Sequence, residues 1–141
     1  MTTILFYVLK SNSLQARLNL ACKLIEKAYT LGMHTYVHTD NAAMSMKLDE
    51  LLWTYNDFSF IPHALAPTTG EKPLVLIGHE HEPISDCDYL INLSLEMPAF
   101  FARFERFAEI LDQTEDILLA GRKRYQFYRD RGYTLEYHQL G

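Results

Sequence analysis

The chain has 141 residues, 48% hydrophobic and 22% charged, the balance of a globular protein with enough length for a real core. A formal net charge of −5 argues against wrapping nucleic acid over the whole surface. No apolar run approaches the roughly 18 residues of a membrane span, and Lys10 follows the first apolar stretch, so the start does not read as a secretory leader.

Ile4 to Leu9, ILFYVL, is a near-continuous apolar run and predicts a strand buried on both faces. Ser11 or Ser13 can cap the helix that follows, in which Leu14, Leu18, Ala21, Ile25 and Ala28 recur at helical spacing until Gly32. Thr35 to His38 is a short β-rich run, and Asp40 or Asn41 caps a second helix. The order strand, helix, strand, helix predicts right-handed crossovers and a parallel sheet. The isolated Cys22 and Cys87 are expected as buried thiols of a cytoplasmic protein.

On the second helix, Met44, Leu48, Leu51 and Tyr55 share one stripe, with Leu52 at its margin. Trp53 and Met46 fall roughly 180° away. Phe58 and Phe60 follow within a few residues, in a stretch closed by Ile61, Pro62 and His63. Either a further layer covers Trp53, or this is an apolar patch that receives a partner. Phe58 to Ile61 reads as a short strand or an extended loop, and Ala64 to Pro73 as a surface loop.

Leu74 to Ile77 and Tyr89 to Leu93 predict two more buried strands, the second being the last clear one. Pro98 then opens a helix with Phe100, Phe104, Phe107, Ala108 and Leu111 as its apolar stripe. Arg103, Arg106, Glu109 and Asp112 lie outside that stripe. Thr114 caps the final helix, with Glu115 and Asp116 in its first turn and Gly132 at its end. The tail from Tyr133 adds an edge strand or lies along the surface. No repeat or linker divides the chain, so residues 1–141 are expected to form a single domain.

Chemistry-bearing patterns are few. Leu9 runs into Lys10, Ser11, Asn12 and Ser13, without the glycine turn that lets backbone approach a phosphate. His79-Glu80-His81 has only two imidazoles and needs a third ligand, so it reads as a solvated loop. No serine or cysteine sits in a nucleophile turn. No catalytic residue, cofactor or metal is expected. From Gly121 to Arg131, however, five basic residues (Arg122, Lys123, Arg124, Arg129, Arg131) meet one acidic residue, Asp130. Arg122, Tyr125 and Arg129 fall within about 40° of Leu118 on the final helix. Ile117, Ala120, Phe127 and Tyr128 lie on another face, expected to pack on the sheet. The ridge is either a solvated basic face or a site for a peptide end that carries an aromatic side chain, a free carboxylate and acidic neighbours.

The two unusual surfaces meet in one family. The sequence resembles the chi subunit of bacterial DNA polymerase III holoenzyme over nearly its whole length. The anchors are Phe6-Tyr7-Val8-Leu9, Leu48-Asp49-Glu50-Leu51-Leu52-Trp53, Ser59-Phe60-Ile61-Pro62-His63, Leu90-Ile91-Asn92-Leu93 and the run from Arg122 to Arg129. The resemblance implies an α/β, three-layer Rossmann-like fold, with a mostly parallel central sheet, helices on both faces and no nucleotide-binding glycine motif. It implies a non-catalytic adaptor with two partners. The psi subunit of the clamp loader, or competitively a DNA-repair helicase, would use the surface of Trp53, Phe58, Phe60, Ile61, Pro62 and His63. The acidic C-terminal tail of single-stranded DNA-binding protein would use Leu118, Arg122, Lys123, Tyr125, Gln126 and Arg129. Gln126 departs from the pattern, because well-known members carry a lysine there. The competing readings are a degenerate Rossmann-like nucleotide-binding enzyme and a direct single-strand DNA-binding module.

Overall fold

The computed structural model describes residues 1–55, 60–68, 72–80, 82–83 and 88–140. The apolar runs form β1 (Thr3–Leu9), β2 (Thr35–His38), β4 (Val75–Gly78) and β5 (Tyr89–Asn92), close to the positions that sequence predicts. The edge strand β3 (His63–Leu65) begins at His63, which closes the expected extended stretch, and runs two residues into the segment read as a loop. The sheet is completed by β6 (Arg106–Leu111) and β7 (Thr134–Leu140). The order is β3-β4-β2-β5-β6-β1-β7, and every pairing is parallel. Among the described residues three helices cover it: α1 (Leu14–Thr30), α2 (Ala42–Thr54) and α3 (Glu115–Asp130). No helix among the described residues is long and apolar enough to cross a membrane.

Alternation along the strands divides the core. Ile4, Phe6 and Val8 of β1 face α3 together with Tyr36, Leu90, Phe107 and Leu111. Val37, Val75, Ile77, Ile91, Ala108 and Ile110 face α1 and α2, where they meet Leu18, Cys22, Ile25, Leu48 and Leu52. The result is the expected three-layer α/β arrangement, with α1 and α2 on one face and α3 on the other. Cys22 is buried, whereas Cys87 lies outside the described residues.

The caps resolve the alternatives left open by sequence. Ser13 Oγ accepts from Ala16 N at 3.2 Å, and Asn41 Oδ1 accepts from Met44 N at 2.9 Å. Gly32 and Gly132 follow α1 and α3 with φ of 72° and 82°, which suits a residue without Cβ.

One element differs from its sequence reading. Residues after Pro98 do not form a helix: Phe101–Arg103 is a single 3-10 turn, and Arg106–Leu111 is the strand β6. That strand lies between β5 and β1, with Phe107 opposite both Leu90 and Ile4. Its faces are both covered, so its apolar residues show no alternation, and the spacing of its phenylalanines imitates a helical stripe. Glu109 and Asp112, placed outside the apolar stripe by the sequence, are fully buried. Arg17 Nε donates to Asp112 Oδ2 at 3.2 Å, and Arg17 Nη1 to Leu93 O at 3.2 Å.

His38 closes β2 with its ring 5.7 Å from that of Phe100, and its Nδ1 is buried with no hydrogen-bond partner. Burial holds its pKa below the ordinary 6.5. The Asp40 and Glu96 carboxylates oppose this, and His79 adds to it. The folded protein therefore binds fewer protons than the unfolded chain as pH falls through 6.5. Stability from this group is complete above that value and declines as pH drops towards the folded pKa. Urea midpoints measured from pH 7.5 to 5.5 should fall for the parent protein and fall less for His38→Gln.

Candidate functional site

Helix α3 owes its position to a buried polar cluster. Gly121, Arg124 and Tyr128 are its buried residues. A Cβ at position 121 would collide with the side chain of Leu111, so glycine lets the helix lie close against β6. Arg124 Nε donates to Glu109 Oε2 at 2.7 Å and Nη2 to Oε1 at 3.0 Å, while Nη1 donates to Leu95 O at 2.8 Å. Tyr128 Oη donates to Glu109 Oε2 at 2.8 Å, and Asn92 Nδ2 donates to Oε1 at 2.8 Å. Burial, with Glu109 beside it, pushes the Tyr128 phenol far up, so it stays a donor.

Arg124 thus belongs to the core and not to the basic surface with which sequence groups it. Tyr128 packs on the sheet as expected, whereas Ile117, Ala120 and Phe127 are only half-buried. Thr114 stands at the N-cap position but makes no side-chain cap; Asp112 Oδ1 instead accepts from Thr114 N at 2.9 Å.

A pocket of about 420 Å³ opens between α3 and the β7 edge of the sheet. Phe6, Val8 and Leu111 form its apolar floor. Leu118, Arg122 and Tyr125 line it from α3, and Tyr137 and Gln139 from β7. The Tyr125 ring stands edge-on to Phe6 at 5.1 Å and meets Tyr137 at 6.5 Å. Arg122 is exposed, so a guanidinium borders an apolar cavity. Such a border suits a ligand that pairs an apolar side chain with a carboxylate.

Three of the six residues expected here, Leu118, Arg122 and Tyr125, come together at the pocket. Lys123, Gln126 and Arg129 are exposed on α3 but do not line it. Gln126 Nε2 donates to Asp130 Oδ1 at 2.8 Å. Sequence reasoning missed the sheet side of the pocket. Parallel pairing sets Phe6 beside Tyr137 and Val8 beside Gln139, and no local spacing announces that register.

The second surface lies at the other end of the sheet. Trp53 is 48% exposed and Phe60 67%, with ring centroids 5.0 Å apart. Met46 is also exposed. Trp53 lies 4.2 Å from the ring of His63, which is buried beneath it. His63 Nδ1 is 2.7 Å from Ile61 O, and Nε2 is 3.1 Å from Asp49 O and 3.2 Å from Asp49 Oδ1. His63 therefore ties the segment after α2 back onto the helix. Ile61 is buried and Pro62 half-buried, and Phe58 lies outside the described residues. Strands β3 and β7 are the two sheet edges. At about 4.8 Å per strand spacing, the surfaces are roughly 30 Å apart, and they flank opposite faces.

Residues 1–136 match the family described as DNA polymerase III chi subunit, HolC. The DNA polymerase III subunit chi of Pseudomonas aeruginosa is 42% identical over 140 residues, covering 99% of this chain and 98% of that one. The subunits chi of Haemophilus influenzae and Escherichia coli K12 are each 26% identical, covering 99% and 92% of this chain and 98% and 92% of their own lengths. The crystal structure of T4 UvsW superposes with a TM-score of 0.69 at 10% identity, over 99% of this chain and 41% of that one, a likeness of fold alone. By the family match and the 42% identity along its length, the chain belongs to the DNA polymerase III chi subunit family.

Proposed function

We propose that this protein is a non-catalytic, cytoplasmic adaptor of the replication machinery with two docking surfaces. The pocket between α3 and β7 receives the C-terminal tail of single-stranded DNA-binding protein. Its terminal aromatic ring fills the cavity over Phe6, Val8 and Leu111, and its free carboxylate pairs with Arg122. Acidic residues before it meet the exposed cations of α3. The Trp53–Phe60 patch receives the psi subunit of the clamp loader, for which a DNA-repair helicase competes. The observation that carries the reading is the 420 Å³ apolar pocket with Arg122 and Tyr125 at its border. The loops after β1 and β6 also support it. Gln113 N donates to Ser11 O at 2.8 Å and Gln113 Nε2 to Leu9 O at 3.0 Å, which ties together strand ends that a dinucleotide fold leaves open.

Each tail contact is weak and salt-sensitive, and many tails on one coated strand raise the effective concentration. The test is a titration at low salt with a peptide copying the tail, beside the same peptide lacking its final aromatic residue. Saturable binding by the full peptide is expected, at least about tenfold weaker for Arg122→Ala, since a hydrogen bond to a charged group contributes about 1.5–3 kcal/mol. Equal binding of both peptides, or none, rules the tail reading out.

A further inference from the structure

A second groove of about 430 Å³ flanks α3 on the side away from the first pocket. Ala120, Lys123, Arg124 and Phe127 line it from the helix, and Leu95, Glu96 and Met97 from the segment after β5. Leu95 is exposed there, and so is Leu119 on the crest between the two grooves. Arg122 and Lys123 stand on either shoulder of that crest, both exposed. We infer that this groove is a second subsite for the same acidic tail, which crosses the α3 crest and seats an apolar side chain against Leu95, Met97 and Phe127. The inference rests on the tail reading of the first pocket and extends it.

Charge complementarity argues for the route. A chain leaving the first pocket backwards from its terminal carboxylate meets Arg122, then the crest, then Lys123, so its carboxylates lie between two cations. In the lining Glu96 offsets Lys123, and the Arg124 guanidinium is already paired with Glu109, which leaves Leu95, Met97, Ala120 and Phe127 as an apolar seat. The seated residue is therefore apolar. Geometry sets its place in the tail. The arc over a helix about 10–12 Å wide is roughly 15 Å, and extended chain covers about 3.3 Å per residue. The apolar residue then falls about four to five positions before the end.

The test uses the full-length protein and two synthetic peptides. One is short and acidic and ends in a free phenylalanine. The other extends it backwards with acidic residues and a leucine about five positions before the end. The extended peptide should bind about tenfold tighter, the return expected from burying one leucine. Changing that leucine to aspartate in the peptide, or Leu95→Glu in the protein, should cut the advantage to within about twofold. The affinity of the short peptide should be unaffected by Leu95→Glu. Equal affinity of the two peptides, or an advantage that survives both changes, overturns the second subsite and leaves the first pocket standing. If neither peptide binds the parent protein, the tail reading fails and the second subsite with it.

Discussion

Glu109→Ala is expected to destabilise the protein by about 3–5 kcal/mol, the usual cost of stranding one member of a buried ion pair. Glu109 has no exposed surface and accepts from Arg124, Tyr128 and Asn92. Alanine leaves a guanidinium, a phenol and an amide facing each other in the centre of the α3 side of the core. Arg124 keeps only its bond to Leu95 O. Thermal unfolding should drop by about 10 °C for a chain of this size. A matched replacement, Glu109→Leu with Arg124→Met, should recover part of that loss, because it removes the stranded guanidinium but leaves the Tyr128 hydroxyl without its acceptor. The coupling between the two sites, read from the double-mutant cycle, is the quantity of interest. Independent effects at 109 and 124 would show that the ion pair does not anchor α3.

Trp53→Ala is expected to weaken binding of the psi subunit by at least about 2 kcal/mol, or roughly thirtyfold, while changing stability little. Tryptophan is a common centre of interface energy because one rigid ring buries a large area at small entropic cost. Here the ring is held in advance by its tilted contact with His63, and Phe60 extends the aromatic surface. Its half-exposed position means that the folded core loses little when it goes. Isothermal titration of purified psi against the parent and the variant, beside their melting curves, separates the two effects. A large fall in melting temperature with unchanged affinity would make Trp53 a structural residue only.

The parts of the fold legible in sequence are those where one physical pattern acts alone. ILFYVL and LVLI read as buried strands because short, bounded apolar runs suit a strand covered on both faces, and TYVH reads as a short β-rich run. Trp53 stood out because a large ring opposed the helix stripe, and it is in fact left exposed. Leu118, Arg122 and Tyr125 were legible because helical periodicity alone brings them together. The failures share a cause. β6 is covered on both faces, so period two was hidden, and Glu109 fell outside the supposed helical stripe until its partner on α3 was known. Arg124 looked like surface charge for the same reason. Tyr137 and Gln139 entered the pocket through the pairing of β7 with β1, a contact between chain ends that no local window contains.

The central claim is that two separate surfaces, at opposite edges of one sheet, carry two partners. The most direct measurement is a two-by-two binding matrix: psi and the tail peptide, each titrated against Phe60→Ala and Arg122→Ala. The account predicts reciprocal loss. Phe60→Ala releases psi and keeps the peptide; Arg122→Ala releases the peptide and keeps psi. Loss of both partners in either folded variant would contradict it.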